Sequence, residues 1–208
     1  MVQSPHDLLV LQGLRLKGFA DVAPLADSLG LAPALVEGCL QTMAASDLTR
    51  FRDGARRGWS LTAKGRLLND EMVAEELDHA GLRAEIEGRY RDFLHLNREM
   101  LRLCTRWQVK DLDAQVLNDH TDEDYDAQVV DDLVQIDAEI QPICADLGGW
   151  FLRLGSYGPK LKAALAKLRS GDKDWFTKPT IDSYHTVWFE LHEDLLVTLG
   201  IDRASEKV

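Results

Sequence analysis

Four arginines lie within one short stretch, Arg50, Arg52, Arg56 and Arg57 in TRFRDGARRGW, and Lys64 follows in LTAKGR. A guanidinium is a planar fork of donors that fits a phosphate with two parallel bonds. On an exposed ribbon such groups meet backbone phosphates or enter a narrow minor groove. The same residues could instead keep a hairpin soluble and protect its edge from pairing. Reading bases needs donors and acceptors on a helix. Gln41 and Thr42 are the best readers in the helix expected from Pro33. Its other outward positions hold Pro33, Ala34, Glu37 and Gly38, and Glu37 repels phosphate.

Other chemistry is sparse. His185, Glu190, His192, Glu193 and Asp194 gather near the C-terminus. Glu190 and His192 are two apart, so on a helix they point about 200° from each other. His185 and His192 are seven apart and share a face, but two imidazoles do not make a metal site. Cys39, Cys104 and Cys144 are far apart at apolar positions, which fits buried free thiols rather than zinc ligands. The chain has no Walker loop, GxGxxG, GxSxG or kinase signature. No enzyme activity, cofactor or metal is expected. A small-molecule pocket between helices is the remaining possibility: Trp107, Tyr184 and Trp188 supply apolar walls, and Asn97 and His185 supply polar handles. A plain core has the same composition.

These side chains need elements to place them. Ser4 as cap, Pro5 at the first turn and Asp7 predict a helix that ends near Gly18. A short helix follows from Asp21 to Gly30. From Pro33, residues Leu35, Val36, Cys39, Leu40 and Met43 predict a buried stripe. Leu48 to Arg52 alternates as a strand, Asp53-Gly54 marks a hairpin turn, and Arg57 to Leu61 returns. Thr62 predicts the cap of a helix from Ala63. Beyond it only helices are expected. One runs toward Trp107 with a break near Gly81, and another is capped by Thr121 and kinked at Pro142. LGGW and GSYGP read as breakers, Pro159 starts a further helix, and a last one holds Ile181 to Leu195 and stops at Gly200.

Three helices, a basic hairpin and a further helix make a winged helix-turn-helix order. The segment from LADSLGLAPALVEGCLQTM to WSLTAKGRLL resembles the MarR-type transcriptional regulators, and LTAKGR is similar to the Leu-Thr-x-x-Gly-Arg element that closes their wing. The stretch DWFTKPTIDSYHTVWFELHEDLLVTLGIDRASE is similar to an uncharacterised actinobacterial family. That family joins a winged helix to a helical bundle, sometimes fused to pyruvate phosphate dikinase-like domains. The expected fold is mainly α. An N-terminal winged helix-turn-helix with a small β-hairpin wing spans 1–68, and a C-terminal antiparallel helical bundle spans 69–208.

The MarR resemblance implies a DNA-binding regulator. Arg50, Arg52, Arg56, Arg57 and Lys64 would hold phosphate, and Gln41 and Thr42 would read bases. The bundle would dimerise the chain or bind a small-molecule effector. The second resemblance implies an alternative: a protein-interaction module partnering a phosphoenolpyruvate-utilising, dikinase-like enzyme.

Charge separates the two parts. Residues 1–66 hold eight Lys and Arg against six Asp and Glu, a net of +2, so residues 67–208 carry −13 and the total is −11. Residues 111–139 carry eleven acids and no Lys or Arg, a block that either steers a basic partner or is simply solvated. At 45% hydrophobic and 28% charged the composition is that of a globular protein. No segment reads as a signal peptide or a membrane span, so a cytoplasmic protein is expected.

Overall fold

Leu8, Leu11 and Leu14 recur every three residues, and this period buries one face of the first helix, α1 (His6–Lys17). The computed structural model describes residues 1–54, 57–111 and 113–206. It is mainly helical, with two small antiparallel hairpins among the described residues. The chain forms two compact units. The first comprises Met1–Arg83, Phe151–Arg153 and His192–Glu206; the second comprises Ala84–Trp150 and Leu154–Leu191.

In the first unit α1 is followed by α2 (Val22–Leu29), α3 (Pro33–Ala45), β1 (Thr49–Arg52), β2 (Gly58–Leu61) and α4 (Ala63–Ala80). Val10, Leu11, Leu14, Leu25, Val36, Leu40 and Leu61 meet in one core. Burying each such side chain fully is worth roughly 1.5–3 kcal/mol. β1 pairs with β2 in the register Arg50↔Ser60 and Phe51↔Trp59. Trp59 also exchanges both backbone bonds with Ala20, at 2.8 and 3.0 Å, an isolated antiparallel bridge that ties the wing to the segment after α1.

Two expectations here need correction. Ser4 does not cap α1: its hydroxyl is buried and bonds Glu76, and no side chain caps that helix. Leu35 is 37% exposed, while Val36 beside it takes the core position.

In the second unit α5 (Arg83–Gln108) begins one residue before the boundary, and α6 (Glu123–Trp150), α7 (Tyr157–Arg169), α8 (Asp174–Thr177) and the first half of α9 (Tyr184–Leu199) follow. Arg89 pairs with Asp146 and Arg106 with Asp132, so α5 and α6 run antiparallel. Several sequence expectations fail in this unit. A hairpin, β3 (Val109–Asp111) with β4 (Val116–Leu117), stands where only helices were expected. Asp111 makes its turn by accepting the amides of Asp113 and Ala114 at 3.0 and 2.9 Å. Asp122, not Thr121, caps α6: its carboxylate accepts the Tyr125 amide at 3.1 Å, while the Thr121 hydroxyl donates to Asp119. LGGW does not break α6, which continues to Trp150. A Cβ on Gly148 would lie 2.7 Å from the Gly155 Cα, so this glycine allows close approach instead of ending the helix. α7 starts at Tyr157, two residues ahead of Pro159.

Candidate nucleic-acid interface

The wing is held by the turn at Thr62. Its side-chain oxygen accepts the Gly65 amide at 3.0 Å and caps α4, while its hydroxyl donates to the Asp47 carbonyl at 2.7 Å. Gly65 sits hard against β1: a Cβ there would lie 2.0 Å from the Leu48 carbonyl oxygen. Leu-Thr-x-x-Gly thus has a physical reading. Threonine starts the helix and ties it to the strand, and only glycine allows the two backbones so close. At the far end Gly58 has φ 144°, and a Cβ would meet Phe19 at 2.8 Å and the Ala20 carbonyl at 2.9 Å.

Strand alternation divides the hairpin into two faces. Arg50 and Arg52 lie on one, and Phe51 and Trp59 on the other. Arg50, Arg52 and Arg57 are exposed, and among the described residues none of the three meets a carboxylate. The Arg57 guanidinium lies 5.7 Å over the Phe51 ring, which packs edge-on against Trp59 at 5.4 Å. An arginine stacked this way is held in place and keeps its outward donors. The aromatic pair went unnoticed in the sequence, although Phe51 between two arginines and Trp59 opposite it follow from the alternation. Arg56 lies outside the described residues.

The remaining candidates differ in what they already bond. Lys64 is exposed, yet its Nζ donates to the Ser46 carbonyl at 2.9 Å, across the same junction as Thr62. Gln41 and Thr42 are exposed on α3 but bond their own helix: Gln41 contacts Glu37 at 3.5 Å, and Thr42 donates to the Gly38 carbonyl at 3.0 Å. Both bonds are local and exposed, so a base edge could replace them at little cost. Glu37 is exposed beside them.

The five residues named for a ligand pocket all lie in the second unit, and they are not all together. Asn97 accepts the Trp188 indole N–H at 2.9 Å, and Trp188 lies against Phe93 and Tyr184. The Tyr184 hydroxyl donates to the buried Asp137 at 3.1 Å; burial first, then that carboxylate, push its phenol well above the usual range. Trp107 packs instead against Phe176 and His120. His185 is half-buried, and burial lowers its imidazole pKa. The amide oxygen of Asn97 and the hydroxyl of Tyr184 are thus taken up by neighbouring side chains.

Other ionisable groups form structural networks. Asp126 is buried and accepts Asn118, His120 and Lys173, at 2.8, 3.0 and 2.8 Å. Burial alone would raise its pKa, and these bonds overcome that and hold the carboxyl below the usual range. Burial pushes the thiols of Cys104 and Cys144 up to about 12, so both stay protonated. Among the described residues no group of three or more His, Cys, Asp or Glu is arranged to hold a metal ion. No helix of the described chain is long and apolar enough to cross a membrane. Comparison with known proteins finds no matching family model, no matching curated protein and no matching solved structure.

Proposed function

We propose that this chain is a cytoplasmic DNA-binding regulator of MarR-like type that grips duplex chiefly through its wing. The observation that carries the reading is the set Arg50, Arg52 and Arg57, exposed on one hairpin without carboxylate partners among the described residues. Guanidinium groups left in water at a rigid ribbon are ready to replace counterions on phosphate, the main source of affinity for duplex DNA. Gln41 and Thr42 contribute base contacts, and Glu37 beside them limits sequence discrimination. The helical unit serves dimerisation or effector binding. Fluorescence anisotropy with several mixed-sequence duplexes at low salt tests this. Wild type should bind them all, and the variant with Arg50→Ala, Arg52→Ala and Arg57→Ala should lose affinity equally for each. Equal binding by the two proteins would overturn the assignment.

A second reading is favoured by the surface beside the wing. Leu35 and Phe51 are 37% and 42% exposed, and Glu37 is exposed on another side of α3, a mixture better suited to a protein than to phosphate. In that case the winged unit docks on a dikinase-like metabolic enzyme. Co-elution with such an enzyme, lost on Leu35→Asp while duplex affinity is unchanged, would select it.

A further inference from the structure

A cavity of about 390 Å³ opens in the first unit, between the N-terminal arm and α4. That volume is in the range of small-molecule sites. The arm is fixed at both ends of this stretch: the Leu152 amide donates to the Val2 carbonyl at 3.0 Å, and the Ser4 hydroxyl bonds Glu76. The apolar walls are Val2, Pro5, Leu8, Met72 and Ala80. Gln3 of the arm is one polar wall, and the rest of the polar lining comes from one stripe of α4. Glu75, Glu76 and His79 follow Met72 at positions three, four and seven further on, so all project from one side of the helix.

Glu76 and His79 are three apart, the Glu-x-x-His spacing used by carboxylate metal centres. Here Glu76 is already committed: Arg153 donates to it at 2.8 Å in addition to Ser4. Glu75 is different. It lines the cavity, is exposed, and meets no cation among the described residues. An apolar recess with one carboxylate whose charge is matched inside the fold and another left open favours a ligand that brings a positive charge. An anion would face two carboxylates, and a neutral molecule would gain no charge pairing from Glu75.

We propose that this cavity binds a small organic ammonium ion with a short apolar or aromatic body, its charge set against Glu75 and its body against Leu8, Met72 and Ala80. The site does not depend on what the wing binds. Isothermal titration calorimetry on the full chain tests it with three probes of one shape: 2-phenylethylamine, 2-phenylethanol and 3-phenylpropionate. The amine should bind roughly fivefold or more tighter than the other two, the worth of one charge pair at contact in water. Glu75→Gln should remove that preference and leave the alcohol unchanged, while Ala80→Phe should weaken all three by filling the recess. No measurable heat from the amine, equal binding of the three probes, or an unaltered preference in Glu75→Gln would each overturn the proposal.

Discussion

Replacing Arg153 by methionine tests how the first unit is tied together. Arg153 reaches both α4 and α9, with its side chain only 3% exposed. Its Nε donates to Glu76 at 2.8 Å, one Nη to Asp194 at 2.5 Å and the other to Thr198 at 2.9 Å. Asp194 also accepts Gln12 at 2.9 Å, and Gln12 in turn accepts Asn69 at 2.8 Å, so the network reaches α1 and α4. Methionine keeps most of the stem volume and removes the charge. It leaves two carboxylates, 7% and 3% exposed, without the cation between them. Breaking a buried pair from one side costs about 3–5 kcal/mol. For a chain of this size that corresponds to a fall in Tm of roughly 6–20 °C. Urea denaturation followed by circular dichroism measures it. Adding Glu76→Gln and Asp194→Asn to Arg153→Met should restore at least half of the loss, because the stranded charges are then gone. A loss below about 1 kcal/mol, the value of an exposed pair, would refute the reasoning.

Gly65→Ala should destabilise the chain by about 3 kcal/mol or more, since its Cβ would collide with backbone at 2.0 Å and no flexible side chain can give way. A change under about 1 kcal/mol on urea denaturation would mean that α4 slides freely on β1. The buried Asp126 makes a pH prediction. Its folded pKa is depressed, so its stabilisation is present above the unfolded aspartate pKa of about 4 and is lost as pH falls through the folded value. Thermal melts from about pH 5 down to pH 2 should therefore show a shallower decline for Asp126→Asn than for wild type. Parallel curves would place the acid sensitivity elsewhere.

What the sequence made legible was local. The cap at Thr62 and the stops at Gly81 and Gly200 depend on bonds within a few residues, and each stands where its residue types put it. The arginines of the hairpin were legible because alternation alone decides which strand residues face out. The β3–β4 hairpin was not, because its turn is made by one aspartate side chain and its strands are too short to show alternation. Gly148 read as a breaker because glycine usually is one, while the packing partner that explains it, Gly155, is visible only in three dimensions. Ser4 looked like a cap, yet it bonds a glutamate 72 positions away, and Arg153 reaches the same glutamate across 77. No periodicity carries information over such distances. The cavity above α4 was hidden for the same reason: Glu75 and His79 look like solvated helix residues until the N-terminal arm is laid across them.

The most direct measurement is the salt dependence of duplex binding. Each phosphate neutralised contributes about −0.9 to the slope of log K against log salt. Three wing arginines on one chain therefore predict a slope of about −3 or steeper, falling by roughly 2.7 when Arg50, Arg52 and Arg57 are all alanine. A flat response in the wild type, or one that the triple substitution leaves unaltered, would contradict a wing that holds DNA.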